Sequence, residues 1–97
     1  MCGAPKQGNG LAGIDLSVQT VIQGQVWHDG APVAGAYVRL LGTDDEFTAE
    51  VVTSPEGEFR FFAAPGAWKV RALAPVGKGE RTLAADVGLN ETTVAVD

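Results

Sequence analysis

From Thr20 onward the apolar residues of this chain recur at every second position, in short runs broken by clusters of Gly, Pro, Asp and Ser. A period of two puts side chains alternately on opposite faces of an extended strand, whereas a helix needs a period near 3.6. The pattern therefore confines the chain to strands and turns. Runs near residues 20–27, 36–41, 47–53, 58–62, 67–73, 81–86 and 92–96 read as seven strands. Short strands at this spacing predict an all-β fold, a seven-stranded antiparallel β-sandwich.

The breaks have chemical reasons. In Ser54-Pro55-Glu56-Gly57 the Pro presets φ near the start of a turn and the Gly accepts a positive φ at its end, so the flanking strands are expected to pair antiparallel. Pro65-Gly66 fits a type II turn, and Asp29-Gly30, Pro32 and Gly35 make a longer connection. Alternation then assigns an inward set: Ile22, Gly24, Val26, Val38, Leu40, Phe59, Phe61, Trp68, Val70, Ala72, Val94 and Val96. Phe59, Phe61 and Trp68 would each bury roughly 150–250 Å² and dominate the packing between sheets.

At 97 residues the chain has room for one domain, expected over residues 20–97 behind a Gly-rich, polar leader over 1–19. Hydrophobic residues at 45% and charged residues at 20% are values of a folded domain rather than a disordered one. The net charge of -5 repels phosphate backbones, so no nucleic-acid partner is expected. No apolar run is long enough to span a bilayer and the first residues lack the apolar centre of a signal peptide, so no membrane partner and a cytoplasmic location are expected. The single cysteine, Cys2, allows no internal disulfide.

Gly24-Gln25-Val26, the run from Asp29 through Gly35 to Leu40, Thr53-Ser54-Pro55-Glu56-Gly57-Glu58-Phe59-Arg60-Phe61, and the run from Pro65 to Ala72 together resemble a carboxypeptidase-regulatory-like domain. That resemblance covers residue 20 to about 73 and implies a prealbumin-like (transthyretin-like) sandwich. Met1-Cys2-Gly3, Asp45-Glu46-Phe47-Thr48-Ala49-Glu50-Val51 and Phe59-Arg60-Phe61-Phe62-Ala63-Ala64-Pro65-Gly66 further resemble a small actinobacterial family, domain of unknown function 1416, the SseC-like sulfur-metabolism proteins. This likeness covers nearly the whole chain. Members are associated through gene neighbourhood with rhodanese-type thiosulfate sulfurtransferases, which implies a pathway and assigns no catalytic residue. The Tyr-Arg-Gly-Ser signature of the hydroxyisourate hydrolases that share the wider fold is missing, which argues against that activity.

Cys2 is the sharpest candidate for chemistry. Removal of Met1 would set its thiol beside an α-ammonium that favours the thiolate, the form that attacks sulfane sulfur; the plain alternative is an uninvolved residue near the end of a tail. His28 is the sole histidine and has neither a second catalytic partner nor the ligands for zinc, so it reads as a solvated strand-end residue. Asp44-Asp45-Glu46 offers oxygen ligands for calcium but lacks the alternating spacing of a calcium loop, and reads as a solvated turn. No metal and no cofactor are expected. An internal isopeptide bond would need a buried Lys and Asn, and Lys69 alternates outward while Asn90 falls in an expected turn.

Arg39, Arg60, Lys69 and Arg71 fall opposite the inward set, accompanied by Tyr37 and Phe62. In a transthyretin-like fold Arg39, Lys69 and Arg71 share one sheet, and with Tyr37 they would form a face for an acidic partner or an oxyanion. The plainer reading is a cross-strand charge ladder with Glu50 and its neighbours. The residues favour a non-enzymatic binding protein, and the family resemblance implies that it is an accessory protein of sulfur metabolism, a partner of a rhodanese-type sulfurtransferase, for which Cys2 is the candidate persulfide carrier. The alternatives are a structural module that pairs through strand edges, as a homodimer, and a small hydrolase.

Overall fold

The structure is a computed structural model that describes residues 15–97. Cys2 and most of the expected leader lie outside the described residues. A turn opens the described chain: the Asp15 carbonyl accepts from the N–H groups of Val18 and Gln19, and the Ser17 hydroxyl donates to the Asp15 carboxylate. Eight strands follow, β1 (Thr20–His28), β2 (Ala31–Pro32), β3 (Tyr37–Leu41), β4 (Phe47–Val52), β5 (Glu58–Ala63), β6 (Gly66–Ala74), β7 (Gly77–Ala85) and β8 (Gly88–Ala95). The additional element relative to the expected seven is β2, a two-residue bridge that pairs Trp27 with Pro32 and His28 with Ala31.

The strands form two four-stranded sheets. In one, β1 is central, flanked by β8 on one side and by β5, continued by β2, on the other. The order in the other is β4-β3-β6-β7. Every pairing is antiparallel except β1 with β8, which is parallel from Thr20↔Gly88 to Trp27↔Ala95. The parallel pair exists because the chain crosses from the second sheet to the first between β7 and β8 instead of turning back in a hairpin.

The core lies between the sheets where alternation placed it: Ile22, Val26, Val38, Leu40, Phe59, Phe61, Val70, Ala72, Val94 and Val96 are all buried in one cluster. The Phe59 and Phe61 rings lie 6.0 Å apart at a tilted 51°, within the range of favourable aromatic pairs. Trp68 is half-buried at the margin of this cluster, where its indole N–H donates to the Ala64 carbonyl. Gly24 falls in the inward set of β1, and a Cβ there would overlap the carbonyl oxygen of Thr92, its register partner on β8. Gly79 stands in the same relation to the Ala95 carbonyl, so β8 is held between β1 and β7 by two close approaches that only glycine permits.

Several local expectations change. The turn over Ser54-Pro55-Glu56-Gly57 forms, with Ser54 and Glu58 bonded and Gly57 at φ 76°, but β4 and β5 do not pair, because they belong to different sheets. Thr53 bonds back to Ala36 and Val33, while the Gly57 carbonyl accepts from Val26 N–H, so the two sides of the turn are pulled into opposite sheets. Pro65-Gly66 is likewise an inter-sheet crossing: Gly66, at φ 145°, already begins β6. The real hairpin lies between Ala74 and Gly77, around Pro75 and Val76, so β7 begins earlier than residue 81. Asn90 is in β8, not in a turn; its amide bonds Asp86 N–H, the carbonyls of Asp86 and Gly88, and that of Val21 on β1.

Candidate functional site

The outer face of the β4-β3-β6-β7 sheet is built by cross-strand register. β3 buries Val38 and Leu40, so Tyr37 and Arg39 project outward; β6 buries Val70 and Ala72, so Lys69, Arg71 and Leu73 do the same. Register then aligns these side chains in rows. Phe47, Leu41, Lys69 and Thr82 form one; Glu50, Arg39, Arg71 and Glu80 the next; Val52, Tyr37, Leu73 and Lys78 the third. Sequence reasoning placed Arg39, Lys69, Arg71 and Tyr37 together, and the structure brings all of them onto this face. Arg60 and Phe62 are on β5, in the other sheet.

The middle row is a charge ladder. Arg39 Nε donates to Glu50 Oε2 at 2.8 Å, and Arg71 Nε and its NH2 group both lie 3.2 Å from Glu80 Oε1. From the loop between β3 and β4, Asp45 reaches over the end of β3 to β6, with Oδ1 2.5 Å from Lys69 Nζ and Oδ2 3.6 Å from an Arg71 nitrogen. Lys69 also lies 3.3 Å from Glu80 Oε2, and its side chain is only 19% exposed. The hydrogen bond from Lys69 holds the Asp45 carboxyl below the usual aspartate range, helped by the charges of Lys69 and Arg71. Hydrogen bonds to Asp45 and then Glu80 raise Lys69 in turn.

The plainer sequence reading thus describes the charges themselves: Arg39, Lys69 and Arg71 each face at least one of the carboxylates Glu50, Asp45 and Glu80. The acidic loop is turned onto cations, with Asp45 at φ 66°, in the left-handed region. Of the two aromatic residues that bracket the ladder, Tyr37 was read from the sequence and Phe47 was not. Phe47 is 58% exposed at one end and Tyr37 53% exposed at the other, with half-buried Val52 and Leu73 beside Tyr37. A register shift between Leu40 and Leu41 sets Phe47 opposite Leu41.

The other outer face is different. Phe62, Val21 and Leu89 form an apolar row across β5-β1-β8, and Val21 is fully buried in it. Arg60, Gln23 and Glu91 form a polar row beside it, in which Arg60 donates to Gln23 and Gln23 to Glu91. His28 is half-buried at the end of β1, with Nδ1 2.8 Å from the Val96 carbonyl oxygen. A carbonyl only accepts, so Nδ1 carries the hydrogen in this contact. Among the described residues no group of three or more His, Cys, Asp or Glu side chains is placed to hold a metal ion. Lys69 and Asn90 lie in different sheets, each with its own partners.

Comparison with known proteins places this geometry in a family. Residues 2–96 match the family described as Protein of unknown function (DUF1416). The chain belongs to DUF1416. An uncharacterized protein of Mycobacterium tuberculosis is 52% identical over 99 residues, covering 99% of each chain. An uncharacterized protein of Mycolicibacterium smegmatis is 55% identical over 87 residues, covering 88% of this chain and 97% of its own. Among solved structures, a DUF3823 family protein from Parabacteroides merdae superposes with a TM-score of 0.65 at 14% identity, over 81% of this chain. This DUF1416 chain spans about half of that protein, 46%, and the likeness is one of fold. No helix among the described residues of the DUF1416 structure is long and apolar enough to cross a membrane.

Proposed function

We propose that this DUF1416 protein is a non-enzymatic docking module of sulfur metabolism, which engages a rhodanese-type thiosulfate sulfurtransferase through the outer face of β4-β3-β6-β7 and accepts sulfur on Cys2. The observation that carries the docking is the composition of that face: exposed Phe47 and Tyr37 bracket a row in which Arg39 and Arg71 stand side by side. Tyr, Phe and Arg are enriched at protein interfaces, and Tyr and Arg at their energetic centres. The ion pairs there are partly exposed, so a partner's carboxylates exchange with Glu50 and Glu80 at little net cost. The sulfur context rests on the family resemblance, SseC-like, carried by the Cys2 region and the strings over 45–51 and 59–66. The same reading takes the sandwich as carboxypeptidase-regulatory-like, the type its 29–40 and 53–72 segments resemble.

The transfer needs no metal, oxidant or reductant. The Cys2 thiolate attacks the terminal sulfur of the enzyme's cysteine persulfide; a sulfur–sulfur bond forms at Cys2 as the one on the enzyme breaks, and the enzyme thiolate leaves. The test is the intact mass of the full chain after incubation with a thiosulfate-charged sulfurtransferase. Gain of one thiol-labile sulfur, abolished in Cys2→Ser, supports the carrier role; a gain unchanged in Cys2→Ser overturns it.

A further inference from the structure

The open strand edges of this sandwich are unequally protected. Edge strands expose unpaired N–H and C=O groups, which proteins shield with charges, prolines or a covering segment. β5 carries Glu58 and Arg60, and β7 carries Lys78, Glu80 and Arg81. The start of β7 is also bonded, Lys78 and Asp97 exchanging N–H and carbonyl contacts at 3.2 and 3.4 Å. β8 is held between β1 and Gly79 of β7. β4, Phe-Thr-Ala-Glu-Val-Val, has no proline, no lysine and one charge, and Arg39 neutralises that charge. Among the described residues β4 pairs with β3 alone.

Its backbone is oriented to receive a strand. Thr53 N–H donates to the Ala36 carbonyl. Alternation therefore directs the N–H and C=O of Val51 toward β3 and those of Glu50 and Val52 outward. The register shift leaves Thr48 without a partner residue on β3.

We propose that β4 is the seam of a homodimer, in which β4 of a second copy adds antiparallel and fuses the two β4-β3-β6-β7 sheets into one. The sequence of β4 selects the register. A two-fold axis at Glu50 would set two glutamates directly opposite, which is unfavourable. An axis at Ala49 sets Thr48 opposite the second copy's Glu50, and two small Ala49 side chains meet on the axis. That register relieves the glutamate–glutamate opposition by facing each Glu50 with a neutral Thr48. The assembly places two docking faces side by side on one continuous sheet, and it stands whether or not that face binds a sulfurtransferase.

Light scattering after size exclusion of the full chain, over a range of concentrations, tests the seam. The expected species has twice the 10.0 kDa mass of the chain. Added salt strengthens it, because each copy carries a net charge of -5. Thr48 is exposed, so charge placed there leaves the fold intact, as thermal unfolding of each variant verifies. Thr48→Glu raises the dissociation constant roughly tenfold by facing Glu50 twice per dimer, while Thr48→Lys preserves or tightens association. A monomer at every concentration overturns the proposal, and so does a dimer in which Thr48→Glu and Thr48→Lys behave alike.

Discussion

Arg39 and Arg71 are direct cross-strand partners on β3 and β6, and each is bonded on its far side to a carboxylate, Glu50 for the first and Glu80 for the second. Two like charges face each other at the centre of the sheet because the strands outside them supply the opposite sign. A row read as plus-plus on two strands is minus-plus-plus-minus across four. The face is nearly neutral and presents arginine and aromatic surface without a strong field.

The Arg39–Glu50 pair is partly exposed, with side chains 45% and 29% accessible, so its coupling is small. A double-mutant cycle with Arg39→Ala and Glu50→Ala is expected to give about 0.5 kcal/mol, shrinking with added salt. Chemical denaturation of the four proteins measures it.

Gly24→Ala should be the most damaging small substitution in β1. Its Cβ would overlap the Thr92 carbonyl oxygen and also crowd the Phe59 ring, and neither a paired backbone nor a buried ring yields easily. The expected loss is about 3 kcal/mol or more, read from thermal or denaturant unfolding.

Thr53 is buried, its hydroxyl accepting from Ala36 N–H at 2.8 Å and donating to the Val33 carbonyl at 2.7 Å. Thr53→Val keeps the shape and removes both bonds. Stability should fall by about 1–3 kcal/mol, while Thr53→Ser retains more of it.

The Asp45–Lys69 contact sets a pH window. The Asp45 carboxyl is lowered in the fold, so its contribution is present above the unfolded value of about 3.9 and is lost as pH falls through the folded one. Lys69 is raised, so its contribution is complete below about pH 10.4 and is lost as pH rises through the folded value. Thermal unfolding of Asp45→Asn should lie below wild type between those limits and converge with it at acid pH. A difference that persists in strong acid would assign the effect to the loop backbone.

Much of this architecture was legible in the sequence, because strict alternation at Ile22 to Val26 and at Phe59 and Phe61 reports which face is buried. The starts of β7 and β8 were not. Gly77-Lys78-Gly79-Glu80 has turn composition, yet Gly79 admits the β8 backbone at Ala95 and Gly77 the backbone of Asp97 just beyond it. Val21 and Leu41 are buried on outer faces, where alternation predicts exposure, because flanking side chains cover them. Pairing partners also escaped the sequence: a competent turn at Ser54 to Gly57 does not say that its two strands enter different sheets. At the candidate site the cations were legible and their partners only in part, since Asp45 lies 24 residues from Lys69 and meets it through the fold.

Isothermal titration of the full chain into a rhodanese-type sulfurtransferase tests the docking face most directly. The account predicts saturable binding that weakens at least tenfold in Tyr37→Ala and in Arg71→Ala, with Phe62→Ala on the opposite face unchanged. Binding that survives Tyr37→Ala and Arg71→Ala but is lost in Phe62→Ala, or no binding at all, would contradict it.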